Sequence, residues 1–420
     1  MNNTNTIEHI ASHLFRENSG KMVAILSKKF GLAYLETILD VVQDTFETAL
    51  IKWRFSGLPD NPSAWLMTVA KNKALNAIQK QSKNVSDTKI KSYHQIAEQN
   101  ADFKLSEQEI SDSQLYLLLA CLHTELSQKN QIILTLYVLC GFGVPEISSA
   151  LCMTDEAVKK VLTRSKAILI ESDNIFDVQL KSKIETHIQT VHAILYLMFN
   201  EGYKTTRNQA GINQDVCFEA MRLTKLLLDN HYSNHETQAL MALMFFHISR
   251  FSTRIENDEW LILEEQDRSQ WNKIFIEEGY FYLNLATQSN ILSRFHLEAL
   301  INSLHCIAPN FEHTDWQKII FLYQELENLE KTPHITLNRI IAESHVSIHY
   351  SLIEELEALE KAIPQEHLCV FLVTKAELYK KHGNLSKTQD FLLDALKYCK
   401  SDIDKRLIER KLKNIFNIVT

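Results

Sequence analysis

Only 9 glycines and 6 prolines are spread over 420 residues, where ordinary usage is about 7% and 5%. Glycine reaches positive φ and proline lacks an N–H, so these two residues make most tight turns and helix ends. A long chain with so few of them predicts helices joined by short connections. The apolar pattern agrees: residues 8–83, residues 112–170 and successive segments from about 183 onward carry apolar side chains at helical spacing. No stretch alternates convincingly as a strand would. The predicted fold class is all-α.

Three blocks follow from the same pattern. Residues 1–83 form the first, and the polar stretch 84–111 reads as a linker. Residues 112–170 form the second block and 171–420 the third. Charge divides them as well. The whole chain has a formal net charge of −8, which argues against uniform attraction to nucleic acid. Residues 1–170 hold 18 Lys and Arg against 17 Asp and Glu, while the rest hold 26 against 35. Any affinity for DNA should therefore sit in the first 170 residues.

The 7 cysteines are widely spaced and include no CxxC, so neither a zinc site nor a redox pair is expected. No run of about 18 apolar residues is present, and MNNTNTIEHIASHLF has no basic region followed by an apolar core. A cytoplasmic protein with no membrane span, no metal and no cofactor is expected.

Within LETILDVVQDTFETALIKW, Leu35, Leu39, Val42, Phe46, Ala49 and Trp53 share one helical face. Asp40, Gln43, Asp44 and Glu47 occupy the opposite face at i, i+3, i+4 and i+7. With no Lys or Arg interleaved they repel mildly, and a basic partner would remove that cost. Viewed alone, a solvated helix face is the commoner meaning. The next helix starts at Asn61, a good N-cap, and Pro62. Trp65, Leu66, Val69 and Ile78 can face the core, whereas Thr68, Lys71, Asn72, Asn76, Gln79, Lys80 and Lys83 form a polar and cationic stripe. Amides and cations on one face suit base edges and phosphates, although solvation again explains the stripe by itself.

In the second block Ser127 can cap LSQKNQIILTLYVL, and Pro145 opens the short helix PEISSAL. Cys152-Met153-Thr154 makes a turn, and Thr154 caps DEAVKKVLTRSKAIL. Val158, Val161, Leu162 and Ile168 point inward, leaving Lys159, Lys160, Thr163, Arg164 and Lys166 outward. This is a helix-turn-helix pattern, with Cys152 in a turn that often holds Gly. Asp155 and Glu156 suit the helix dipole but repel phosphate, so isolated DNA affinity should be weak.

Near the end of the third block, KAELYKKHGNLSKTQDFLLDALKYC is similar to a tetratricopeptide repeat. Ala376 and Tyr379 lie on its first helix, Gly383 in its turn, and Leu392 and Ala395 on its second. Thr388 stands where such repeats usually carry Ala.

The order of these parts is more specific than any one of them. DVVQDTFETALIKW, NPSAWLMTVAKNKALNAI and LSQKNQIILTLYVLCGFGVPEISSALCMTDEAVKKVLTRSKAIL resemble regions two and four of a bacterial RNA polymerase sigma factor, of the extracytoplasmic-function type within the sigma-70 family. VHAILYLMFNEGY, LEEQDRSQWNKIFIEEG, TDWQKIIFLYQEL and TPHITLNRIIAE resemble the subgroup with a fused tetratricopeptide-like C-terminal domain. The resemblance implies a promoter-specific initiation factor regulated through that domain, not an enzyme. It implies that Asp40, Gln43, Asp44 and Glu47 meet the β′ clamp helices of core RNA polymerase, with region four at the β flap. Lys71, Asn72, Asn76 and Lys80 would act on the −10 element, and Thr154, Lys159, Lys160, Thr163, Arg164 and Lys166 on the −35 element. Trp65 reads as core.

The third block also carries polar clusters: Asn200 and Glu201; Gln266, Asp267 and Arg268; Asn338 and Arg339. No nucleophile, metal-ligand spacing or phosphate loop accompanies them, so acid–base catalysis with His305 is disfavoured. They either bond helix ends and turns or hold a peptide, protein or small ligand. His192, His247, His296 and His305 sit on apolar helices and read as core. The rival function is a helical-repeat interaction or sensor protein whose helix-turn-helix acts as an ordinary regulator. The acidic face at Asp40–Glu47 separates the two, because an independent regulator has no need of it.

Overall fold

The structure is a computed structural model. It describes residues 2–82, 106–151, 153–171, 180–204, 212–230, 232–257, 259–289, 291–347, 349–363, 365, 368–399 and 402–419. Lys83, Cys152 and most of the expected linker lie outside the described residues. Nineteen α-helices make up almost all regular structure among the described residues, so the fold is all-α. Besides short 3₁₀ turns there is a pair of two-residue strands, β1 (Ile255–Glu256) and β2 (Glu259–Trp260), antiparallel with Ile255 opposite Trp260.

The chain divides into two compact units, residues 1–198 with 229–232 and residues 199–228 with 233–420. The first holds α1 (Asn2–Phe30), α2 (Leu35–Ser56), α3 (Pro62–Ser82), α4 (Glu107–Cys121), α5 (Gln128–Val138), α6 (Val144–Leu151) and α7 (Asp155–Glu171). Helix α8 (Leu180–Tyr203) begins in this unit. Helix α1 packs on α2, α3 and α4. Leu26, Leu35, Ile38, Trp53 and Leu66 are buried in that core.

Gly20 explains how α1 also meets the chain leaving α5. A Cβ at Gly20 would stand 1.7 Å from the Leu139 carbonyl oxygen. Glycine inside a helix costs about 0.5–1 kcal/mol relative to alanine, and here it permits a backbone approach that no other residue allows.

The helical part after the linker starts earlier than the apolar periodicity indicated. Helix α4 opens at Glu107 behind a capping box. The Ser106 hydroxyl accepts from the Glu109 N–H at 3.2 Å, and the Glu109 carboxylate accepts from the Ser106 N–H at 2.9 Å. The polar residues that resembled linker are the cap.

The second unit runs through α9 (Gln214–Asp229), α10 (His235–Ile248), α11 (Phe251–Arg254), α12 (Lys273–Ala286), α13 (Arg294–Ile307) and α14 (Trp316–Leu329). It continues with α15 (Pro333–Glu343), α16 (Tyr350–Leu359), α17 (Leu368–Lys381), α18 (Leu385–Tyr398) and α19 (Asp402–Val419). From α13 onward each helix packs on the one before it, the layout of a stacked array. Between α17 and α18, Gly383 takes φ +76° and open space surrounds its α-carbon, so a tight turn is the reason for glycine there. Ala376, Tyr379, Thr388, Leu392 and Ala395 are all buried around this hairpin. Thr388 donates its hydroxyl proton to the Asn384 carbonyl at 2.8 Å, which satisfies the polar atom at that small-residue position.

Candidate nucleic-acid interface

Helix α2 is built as its period requires. Ile38, Val42, Thr45, Phe46, Ala49 and Trp53 are buried, and Asp40, Gln43, Asp44 and Glu47 are all exposed on the other side. Two of the four have partners inside the face, because Gln43 donates its amide to Glu47 at 3.2 Å. Asp44 receives a cation from α3, with Lys73 Nζ at 2.8 Å from its carboxylate and 3.0 Å from its carbonyl oxygen. Lys73 also donates to Thr48 Oγ1 at 2.5 Å. So part of the acidic charge is already compensated, and Asp40 and Glu47 carry the remainder outward.

Helix α3 starts as expected, with the Asn61 side chain accepting from the Ala64 N–H at 3.0 Å. Its seam against the core is Leu66, Ala70 and Ala74. Asn72, Asn76 and Lys80 are exposed, as the stripe requires. Lys71 is not on that surface: it is 9% exposed. It follows Ala70 directly, so its stem runs along the buried seam, as long aliphatic stems do beside a core. Its charge acts inward too. The Lys29 amine is held below its usual value by burial and then by Lys71. Trp65 is half-buried, 5.4 Å from the Trp53 ring centre, with the Lys52 amine 5.9 Å from its own.

In the helix-turn-helix segment, Ser127 caps α5 by accepting from the Asn130 N–H. Glu146 closes the turn before α6, accepting from the Gly143 N–H at 2.7 Å. Thr154 caps α7 through the Ala157 N–H at 3.2 Å. Helix α7 packs on α5 and α6 through Val158, Leu162, Ser165 and Leu169, all buried. Lys159, Lys160, Thr163 and Arg164 are exposed in a continuous row, and Thr154, Asp155 and Glu156 are exposed at the start. Lys166 departs from the expected outward placement. Its side chain is 14% exposed and its amine sits 2.7 Å from the Glu36 carboxylate on α2, with the Tyr137 ring 5.6 Å away. One position beyond buried Ser165, it lies at the edge of the packed face, where a carboxylate was waiting.

Comparison with known proteins decides what this arrangement belongs to. Residues 14–84 match the sigma-70 region 2 family, and residues 187–287 match a family of unknown function (DUF6596). An uncharacterized protein of Rhizobium meliloti (strain 1021) is 30% identical over 313 residues, 73% of this chain and 74% of that one. The chain belongs to that protein's family. Its N-terminal domain is a sigma-70 region 2 domain, which supports a sigma-70 family factor. No solved structure matches. Sigma-70 region 2 implies binding to core RNA polymerase and promoter DNA in transcription initiation, and its family is one of non-enzymatic transcription factors. No helix among the described residues is long and apolar enough to cross a membrane.

Beyond the sigma-70 region 2 domain, the polar clusters of the second unit go to separate tasks. Asp267 caps a short 3₁₀ turn, accepting from the Ser269 hydroxyl, the Ser269 N–H and the Gln270 amide, which hold its carboxyl below the usual range. Gln266 donates to the Leu261 carbonyl at 2.9 Å. Arg268 donates to the carbonyls of His305 and Ala308 and to the Thr314 hydroxyl, fastening its loop to the end of α13. Arg339 meets Glu327 at 2.8 Å, Glu343 at 2.7 Å and also Glu355. Asn200 and Glu201 are half-buried near the end of α8, and Asn338 is exposed. Bonding of turns and helix ends accounts for Gln266, Asp267 and Arg268, and ion pairing for Arg339. His192, His296 and His305 are buried, as apolar helices predict.

Sequence reasoning missed Lys73, Lys29 and Glu36. Each acts on a residue many positions away, and one chain carries no local mark of such pairs.

Proposed function

We propose that the chain is a promoter-specific transcription initiation factor of the extracytoplasmic-function type, with a tetratricopeptide-like C-terminal domain that regulates it. The observation that carries this is a sigma-70 region 2 domain over residues 14–84 followed by a capped helix, α7, with Lys159, Lys160, Thr163 and Arg164 exposed in a row. In this reading the domains are residues 1–83, a second one whose first helix opens at Glu107 and which runs to 170, joined to the first by a linker, and 171–420. Asp40, Gln43, Asp44 and Glu47 dock on the β′ clamp helices, with Asp44 leaving or sharing Lys73. Asn72, Asn76 and Lys80 handle the −10 strand, and Lys71 supports that surface from beneath. The exposed row on α7 lies on the −35 element with Thr154 at its start, near the β flap. Lys166 supports the helix from its packed side.

Helix-turn-helix docking places the N-terminal part of the second helix at base edges and leaves later cations for phosphates. The hairpin at Gly383 and the consecutive stacking from α13 onward support a repeat-type C-terminal domain. Run-off transcription with purified core polymerase and the full chain tests the reading: initiation from a bounded set of genomic fragments is expected. Failure to bind core, or binding without initiation on any fragment, would reject it.

A further inference from the structure

Helices α13, α14, α15, α17 and α19, with the loop at 262–264, surround a cavity of about 340 Å³. That lies within the size range of small-ligand sites, which combine apolar walls with a few convergent polar groups. One wall is flat. The Trp316 and His345 rings stack with centres 4.3 Å apart and planes 20° from parallel. Phe311 meets both edge-on, at 5.1 and 5.0 Å.

The polar atoms give the cavity a sign. Lys411 is matched by Glu377 at 2.5 Å. Lys381 hydrogen-bonds only neutral acceptors, the Ser344 carbonyl at 3.1 Å, the Ser344 hydroxyl at 2.9 Å and His345 Nδ1 at 3.3 Å, while burial lowers its amine and the nearby Glu264 and Glu377 carboxylates act against that. Beside the cavity, Arg268 bonds neutral carbonyls and a hydroxyl, and Arg250 bonds His247 Nδ1 and the Asn302 amide oxygen. Glu264 lines the cavity as well, and like Lys381 it is partly open to water. His305 is 8% exposed and lines the same space, and its Nδ1 has no hydrogen-bond partner. Burial, then Arg250, Arg268 and His345, push this imidazole down to about 3. Burial and Lys381 push His345 down to about 4. Both rings are therefore neutral near pH 7. Glu264 and Glu377 balance Lys381 and Lys411 along the lining, and Arg250 and Arg268, bonded to neutral groups beside it, leave the surplus positive.

We propose that this cavity binds a small organic acid with a flat apolar body. The ring extends the Trp316–His345 stack on its outer face, and the carboxylate accepts from Lys381 Nζ. His305, as its Nδ1–H tautomer, supplies a second donor to that carboxylate. The inference rests on the second unit alone and does not depend on how the chain meets polymerase.

Indole-3-acetate, indole-3-acetamide and tryptamine share one ring and differ in charge, so they serve as probes. Calorimetric titration into the full chain should show saturable binding of the acid. The amide should bind roughly tenfold more weakly, because a charge-assisted hydrogen bond is about twice as strong as a neutral one. The amine should bind more weakly still. Lys381→Met should bring the acid down to the level of the amide, whereas Trp316→Leu should weaken both alike. Lys381 is solvent-exposed, so its substitution leaves the helix pair intact, and the acid–amide comparison needs no variant at all. No saturable binding of any probe, preference for tryptamine, or an undiminished acid preference in Lys381→Met would overturn the proposal.

Discussion

Lys166 Nζ on α7 lies 2.7 Å from Glu36 Oε2 on α2, a contact between residues 130 positions apart. It joins the helix with the exposed cation row to the first turn of the helix with the acidic face. The lysine end is mostly buried and the glutamate end half in water, at 14% and 53% side-chain exposure. Exposed pairs contribute about 0.2–1 kcal/mol, and this one should reach the upper part of that range at low salt. A double-mutant cycle with Glu36→Gln and Lys166→Met, read by urea unfolding of the first unit, should give a coupling of about 1 kcal/mol. The coupling should shrink as salt is added. A coupling indistinguishable from zero at low salt would mean the pair does not hold in solution.

The acidic face yields a sharper test than its sequence alone. Asp44 is engaged by Lys73, so reversing Asp44 would disturb the contact between α2 and α3 as well as any partner. Asp40 and Glu47 are exposed and lie clear of that pair. The double change Asp40→Lys, Glu47→Lys should weaken binding to core polymerase tenfold or more while the far-ultraviolet circular dichroism stays the same. Unchanged affinity would remove this face from the interface.

On α7, Lys159→Ala, Lys160→Ala and Arg164→Ala should separate by the kind of contact each side chain makes. A residue paired with a guanine edge should cost about 1–3 kcal/mol and relax preference at that base pair. A phosphate contact should weaken every promoter alike and lower the salt slope by roughly one counterion. All three helical positions are exposed, so stability should change little. Promoter occupancy unaffected by the triple alanine variant would exclude α7 as the reading helix.

How much of this was legible in the sequence depends on whether the signal is local. Helix starts at Asn61 and Thr154 were legible because a cap and its N–H partner are three residues apart. The seam of Val158 and Leu162 was legible because helical period fixes which side chains share a face. Lys71 was not, since period places it at the margin of the apolar face without saying that its stem lies down along it. Lys166 failed for the same reason, and only the fold brings Glu36 to it. Arg339 resembled part of a ligand site because two of its three partners, Glu327 and Glu355, reach it only through the packing of α14, α15 and α16, while Glu343 lies four positions on in its own helix. The cavity next to that cluster was invisible for the complementary reason. Its walls come from five helices, and an apolar face lining a void has the same sequence as one in contact.

His305 gives the second unit a predictable response to acid. Its folded-state imidazole is held at about 3 by burial, Arg250, Arg268 and His345, against about 6.5 for an unfolded histidine. The unfolded chain therefore binds a proton that the folded chain refuses, so stability is complete above about 6.5 and falls as pH drops toward the folded value. The slope from one such group is at most about 1.4 kcal/mol per pH unit, and His345, held at about 4 by burial and Lys381, adds to it in the same direction. Thermal unfolding followed at pH 7, 6 and 5 should show a steady decline of the transition assigned to this unit. His305→Gln keeps a neutral polar side chain of similar reach but cannot titrate, so its decline should be shallower by up to that amount. An equal slope in the variant would show that His305 takes up no proton on unfolding in this range.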